Sequence, residues 1–226
     1  MSMNPVTLEN VRDILSVHVP LYKWRRPIYQ TVLLGQLRAM WDPQLRTILD
    51  VGRGTGLLAH AIKALFRVRH MAAVDVEDRF LKALDIDFSV FDGRRIPFPD
   101  ASFDGVMILN VLHHVPQGMR AELLLEARRI VGNGPIYIKD HLSCGWLDDL
   151  RLFVLDLLGN LPFSGMVRAK YLRAADWAAL AEITEHRIET QASGAYRSGP
   201  SSWLFPNRLE ICMKWLPLDE QMQVLQ

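Results

Sequence analysis

Two cysteines in 226 residues, Cys144 and Cys212, leave little room for thiol chemistry. They lie far apart and form no C-x-x-C pair, so neither a cysteine zinc site nor a disulfide framework has support, and no metal is expected. Two thiols in a reducing compartment are the simpler expectation. No apolar run approaches the roughly 20 residues that cross a bilayer, so no membrane insertion is expected. The stretch "MSMNPVTLENVRD" lacks a basic segment followed by an apolar core; no secretion signal is expected, and the localisation read from this is cytoplasmic. A charge excess of either sign is also missing. With 26 Lys and Arg against 25 Asp and Glu, no global positive field recruits nucleic acid. One basic cluster, "YKWRRP" from Tyr22 to Pro27, is too short to alter that. Repeats, low-complexity tracts and long linkers are absent too. What is present is 50% hydrophobic composition, enough for a single domain with one sizeable core.

Within that domain the character of the chain changes twice. Residues 1–45 read as helical: "TLENVRDILSVH" opens with Thr7 as a cap, and "PIYQTVLLGQLRAMW" starts with Pro27 at a helix's first position. They are expected to form a lid. From 46 to 141 short β-rich runs ("TILDV", "MAAVDV", "DFSVF", "DGVMILN", "GPIYIKD") alternate with helical stretches ("GLLAHAIKALF", "MRAELLLEARRIV"). Apolar strands separated by helices predict a parallel sheet covered on both faces. Such sheets bind ligands beyond the carboxyl ends of their strands. The segment between Asp75 and Ile86 has room for only a helical turn or two, so that flank should be thin. Residues 142–226, the expected substrate side, carry two amphipathic helices, "GWLDDLRLFVLDLLGN" and "RAADWAALAEITE", then two β-like segments, "HRIETQASGAY" and "NRLEICMKWL". Having no helix between them, the last two should pair antiparallel at a sheet edge. Trp146, Trp177 and Trp203 read as packing residues. The expected fold is α/β and Rossmann-like, with a seven-stranded, mostly parallel sheet, helices on both faces, one antiparallel edge strand and an N-terminal helical lid.

The stretch "TILDVGRGTGLLAHAI" is a strand, a glycine turn and a helix start. A phosphate-cradling P-loop needs Lys followed by Ser or Thr after its last glycine, and here Gly56 precedes Leu57 and Leu58. A dinucleotide turn prefers G-x-G-x-x-G, whereas Gly52, Gly54 and Gly56 are one residue closer together. Asp50 decides between ligands. Its carboxylate, two residues before the first glycine, would repel a pyrophosphate but suits a ligand with an ammonium and a sulfonium, as in S-adenosylmethionine (SAM). Asp75 closes the second strand, where a carboxylate grips two ribose hydroxyls, though NAD sites use the same device. Asp92 follows the third strand, placed to accept from an adenine amino group with Phe91 or Ile96 against the ring. Each acid also has an ordinary reading as a turn or helix cap.

The motifs "ILDVGRGTG", "VDVED", "FDGRRIPFPDASFDGVMILNVLHHV" and "IYIKDH" resemble the successive motifs of class I SAM-dependent methyltransferases, in the group typified by ubiquinone/menaquinone-pathway and small-molecule methylases. The likeness is strong from Arg46 to His141, and a looser one to a bacterial subset continues through "LDLLGN". It implies that Gly52, Gly54 and Gly56 let the backbone pass close to the methionyl and ribose parts, with Asp50 near the amino group. Asp75 would hold the ribose, Asp92 and Gly93 the adenine edge, and Asn110 the floor beneath the sulfonium. Arg53 departs from the family, which more often has a small or neutral residue there.

Methyl transfer from a sulfonium is an in-line displacement that depends mainly on positioning. A base is needed only for a protonated acceptor, and His114, Asp140 and His141 stand where strands four and five end. Of the pair His113 and His114, the second is the stronger candidate. Tyr22, Trp24 and Arg25 in the N-terminal loop are candidates for closing over an acceptor, with Arg25 or Arg26 neutralising an anionic one. The N/D-P-P-Y signature of amino-methylating DNA enzymes and a Pro-Cys nucleophile are both missing, which leaves a small metabolite as the acceptor class. The sequence leaves room for a homodimer. Two rivals stand beside methyl transfer: a catalytically inactive SAM-fold scaffold, motivated by Arg53, and a nicotinamide-dependent oxidoreductase.

Overall fold

The computed structural model describes residues 4–52, 54–160 and 169–218. Its centre is a seven-stranded sheet in the order β3-β2-β1-β4-β5-β7-β6. The strands are β1 (Thr47–Val51), β2 (His70–Asp75), β3 (Asp87–Val90), β4 (Gly105–Leu109), β5 (Ile136–His141), β6 (His186–Ala192) and β7 (Glu210–Pro217). The first five are mutually parallel, and β7 runs antiparallel to both neighbours. The expected reversed strand is therefore present, but it sits one place in from the edge. The edge strand is β6, and the loop joining it to β7 folds β7 back into the gap beside β5.

Among the described residues the helices around the sheet are α1 (Leu8–His18), α2 (Ile28–Met40), α3 (Leu57–Phe66), α4 (Arg120–Val131), α5 (Trp146–Asn160), α6 (Ala174–Ile183) and the short α7 (Pro200–Leu204). Thr7 caps α1 as its sequence suggests, its hydroxyl accepting from the Asn10 amide at 3.1 Å. Pro27 is the residue before α2, one position earlier than expected.

Strand alternation divides the core into two layers. Leu49, Val51, Val106, Ile108, Ile136 and Ile138 pack with α4 and α6, including Leu124, Ile130 and Trp177. Ile48, Met71, Met107, Leu109, Tyr137 and Cys212 face the other way, against α1, α2 and α3. The N-terminal helices are thus more than a lid. Val11, Leu15, Leu33, Leu34 and Leu37 are fully enclosed and form half of one layer. Trp177 belongs to the core, but Trp146 and Trp203 are exposed and do not pack as expected. Between β2 and β3 there is no helix; the thin flank is pinned by Phe80 stacked on Phe88 at 3.8 Å.

At the far edge His186 begins β6, buried against Trp215 with ring centroids 5.9 Å apart and its Nδ1 3.0 Å from the Thr184 hydroxyl. Burial, helped by nearby Arg128, pushes this imidazole down to about 4 from its ordinary 6.5. The neutral form is the one that folds. Its contribution is complete above pH 6.5 and is lost as pH falls toward 4. Melting temperature should fall across that interval by about 2–4 °C per kcal/mol lost for a chain of this size. His186→Gln should flatten that limb of the pH–stability curve, and an unchanged acid limb in the variant would contradict the assignment.

Candidate active site

Strand order reverses between β1 and β4, so the crevice for a ligand lies beyond the carboxyl ends of these two strands. The glycine turn stands there. Gly52 has φ +72°, and a Cβ on it would come within 2.5 Å of Val111, in the chain leaving β4. Only glycine lets the two strand ends approach so closely. Gly54 has φ +59°, with nothing within 4 Å of where a side chain would stand. Gly56 caps α3. Arg53 lies outside the described residues.

Asp50 is buried at the tip of β1, and Asp75 at the tip of β2. One Asp75 oxygen accepts from the Gly54 amide at 2.9 Å and the other from the Glu77 amide at 3.2 Å. A carboxylate has about four lone-pair sites, so two remain for a ligand after these bonds have fixed its orientation. Asp92 is exposed, and one of its oxygens accepts from the amides of Arg94 and Arg95 at 2.9 and 3.0 Å, which hold the carboxyl below its usual range. This is the turn-capping role of an Asx residue, and it leaves the second oxygen outward. Gly93 lies beside it at φ +79°, where a Cβ would be 3.2 Å from the half-exposed Val76.

Asn110 follows β4 in the left-handed region at φ +58°, a conformation asparagine tolerates. Its amide nitrogen donates to the Tyr29 hydroxyl at 3.1 Å, and its oxygen accepts from Lys139 Nζ. Tyr29 lies in the first turn of α2, so the loop before α2 sits at the same end of the sheet as the glycine turn. In that loop the Tyr22 hydroxyl accepts from Gln30 at 3.0 Å, whereas Trp24 is 89% exposed and Arg25 is exposed. Tyr22 is thereby tied to α2, and Trp24 is the ring offered outward.

A second group of polar residues lies behind Asn110, fully enclosed. Lys139 on β5 pairs with Glu210 on β7 at 2.6 Å, and Arg197 also donates to Glu210. Burial alone would lower the Lys139 amine, but the Glu210 carboxylate outweighs it and holds the amine charged. Glu210 is held well below its usual range, burial being outweighed by Lys139 and His141. Asp140, one residue on from Lys139, turns to the other side of the sheet and meets His113 Nδ1 at 2.5 Å. His113 keeps Asp140 ionised against the effect of burial. His141 turns back, its Nδ1 3.2 Å from Glu210 and its Nε2 3.3 Å from Asp156 on α5. Burial and Lys139 would lower the His141 imidazole, yet Asp156 and Glu210 raise it to about 9. Asp156 accepts from the Tyr171 hydroxyl at 2.6 Å. Asp140 and His141 therefore diverge, as neighbours at a strand end should, and His113 rather than His114 is the partner of Asp140. The His114 ring lies 4.0 Å from the His113 ring and is half-buried.

Sequence reasoning missed Tyr29, Lys139, Asp156, Tyr171, Arg197 and Glu210. A signal existed for two of them: Lys139 and Glu210 are charges adjoining the apolar runs of "IYIKDH" and "EICMKWLP". Breaking a buried pair leaves one charge uncompensated, at a cost of about 3–5 kcal/mol. Lys139→Met should lower unfolding free energy by about 3 kcal/mol in urea titrations, Arg197 and His141 still facing Glu210. A loss below about 1 kcal/mol would mean that the pair is not a structural element of the core.

Comparisons with known proteins agree with this geometry. Residues 49–138 match the family described as methyltransferase domain. A ubiquinone/menaquinone biosynthesis C-methyltransferase UbiE of Methylobacterium nodulans is 32% identical over 117 residues, which span 47% of this chain and 45% of that protein's length. Among solved structures, the complex of the Haloferax volcanii Trm112 methyltransferase activator with a methyltransferase superposes with TM-score 0.67 at 14% identity, covering 93% of this chain and 98% of the other. The magnesium protoporphyrin IX methyltransferase of Synechocystis PCC 6803, solved with bound S-adenosylhomocysteine (SAH), gives TM-score 0.57 at 18% identity, covering 87% of each chain. Those two likenesses concern the fold. The match over residues 49–138 places the likeness to a methyltransferase domain on the part of the chain that runs from β1 to β5 around the glycine turn.

Proposed function

We propose that the chain transfers a methyl group from SAM to an O, N or C nucleophile of a small metabolite by in-line displacement. The observation that carries this reading is the open space over Gly54 beside the carboxylate of Asp75, at the sheet's reversal point. SAM, when bound, supplies an electrophilic methyl on a sulfonium. The buried carboxylates of Asp50 and Asp75 beside that space suit a cationic ligand better than a diphosphate. Asp75, oriented by two backbone amides, takes the ribose hydroxyls. Asp50 complements the amino group, and Asn110, locked by Tyr29 and Lys139, lines the floor. The outward side of Asp92, Gly93 and the apolar face of Val76 receive the adenine.

The acceptor-side groups are His114, Asp140 and His141, with Tyr22, Trp24 and Arg25 across the opening. Asp140 is a positioning residue that acts through His113. His114, its ring tilted against His113 and only half-buried, is the imidazole we assign to take a proton when the acceptor arrives with one. His141 is enclosed and orients the groups around it. Trp24 and Arg25 suit a planar or anionic acceptor.

Calorimetric titration with SAM and with SAH tests the reading, since heat of binding is expected for both and silence with both would contradict it. Asp75→Ala should weaken SAH binding by about 10- to 100-fold, the range for losing hydrogen bonds to a charged group. Gly54→Ala separates fold from site. Its left-handed backbone costs about 1–2 kcal/mol of stability without a clash, whereas affinity should fall at least tenfold because the methyl fills the ligand's space. Unchanged affinity in a folded Gly54→Ala variant would place the cofactor elsewhere.

A further inference from the structure

We propose that His113, His141 and Asp156 bind one divalent first-row transition-metal ion. Three elements converge to build the site. His113 is carried by the turn leaving β4, His141 ends β5, and Asp156 lies on the inner face of α5. One ligand atom from each lies within 4.8 Å of the others, and all three side chains are buried. His113 Nε2 is 3.5 Å from one Asp156 oxygen, and His141 Nε2 is 3.3 Å from the other. Bonds of about 2.0–2.1 Å to a tetrahedral ion separate neighbouring ligands by about 3.3 Å, so small side-chain rotations close the set.

The surroundings carry the inference further than the distances do. His113 turns its other nitrogen to a carboxylate, Nδ1 meeting Asp140 at 2.5 Å, while His141 Nδ1 lies 3.2 Å from Glu210 without the geometry of a hydrogen bond. Protein metal sites orient their histidines as Asp140 orients His113: the carboxylate fixes the tautomer and directs the remaining lone pair at the ion. With Nδ1–H given to Asp140, His113 Nε2 is an acceptor. It is buried, has no hydrogen-bond partner, and its neighbour Asp156 is another acceptor. Two enclosed acceptors facing each other are unfavourable unless a proton or a metal cation lies between them. Tyr171 steadies the third ligand by donating to Asp156, and also lines an open cleft of about 500 Å³.

The donor set names the class of ion. Two imidazoles and one carboxylate suit Zn²⁺, Co²⁺, Fe²⁺ or Mn²⁺ better than Ca²⁺ or Mg²⁺, which take oxygen ligands. The absence of a cysteine pair argued against a thiolate site only. An imidazole–carboxylate site is assembled from three separate parts of the chain and has no sequence spacing to betray it. Three protein ligands also leave a coordination position for a water or for a hydroxyl or carboxylate oxygen of an acceptor. The site stands or falls independently of SAM binding.

Titration of chelator-stripped full-length chain with Co²⁺, followed by visible ligand-field absorption, and with Zn²⁺, followed by metal analysis after dialysis, tests it. One ion per chain and a raised melting temperature are expected. Asp156→Asn and His141→Gln should each lower affinity at least tenfold, and Asp140→Asn, which weakens the contact that orients His113 and the bond from the His141 amide, by about 10- to 100-fold. Circular dichroism and SAH calorimetry on Asp156→Asn show whether fold and cofactor site survive, so that loss of metal binding is read on its own. No saturable ion at micromolar concentrations, or one retained in both folded Asp156→Asn and folded His141→Gln, would overturn the proposal.

Discussion

The hydrogen bond from the Gly54 amide to the Asp75 carboxylate ties the turn leaving β1 to the tip of β2, beside the ligand crevice. A parallel sheet whose order reverses between β1 and β4 separates the connections leaving those strands and leaves a gap beyond them. The gap becomes a site only if the backbone leaving β1 clears the chain leaving β4 and an acid is fixed beside it. Gly52, pressed against Val111, meets the first condition; Asp75, held by the Gly54 and Glu77 amides, meets the second. The other proposed cofactor contacts build on that frame.

Behind it the sheet holds an unusual amount of buried charge. Lys139 and Glu210 occupy neighbouring strands, β5 and β7, where apolar residues would pack as well or better. The pair links Asn110 to His141, with Arg197 and Tyr29 attached. Core stability alone does not explain such an arrangement. Charges enclosed this way keep a fixed orientation, since moving any one of them leaves the others unsatisfied. The carboxyl ends of β4 and β5 are thereby made rigid at the point where cofactor and acceptor are proposed to meet.

Much of the frame was legible in the sequence because it is local. The glycine spacing, the acids at strand tips and the alternation of apolar runs with amphipathic helices each follow from a few adjacent residues. The place of β7 was not legible, since two strands without an intervening helix announce their pairing but not which of them faces the sheet. Nor was the choice of His113 over His114, which depends on how the turn leaving β4 directs consecutive side chains. Asp92 shows a residue doing the ordinary and leaving room for the special, one oxygen capping its turn and the other outward. Asp156 was invisible, because a polar residue on an amphipathic helix looks the same whether it faces water or a buried histidine, and Tyr171 lies in a loop with no periodicity to mark it.

The account's central claim is that acids on successive strand tips receive a cationic adenosine compound that carries no phosphate. A crystal structure of the chain with SAH tests this most directly. The account predicts the ribose hydroxyls on Asp75, the amino group beside Asp50 and the adenine over Val76 and Gly93. Adenosine seated away from the glycine turn, for instance in the cleft beside Tyr171, would contradict it.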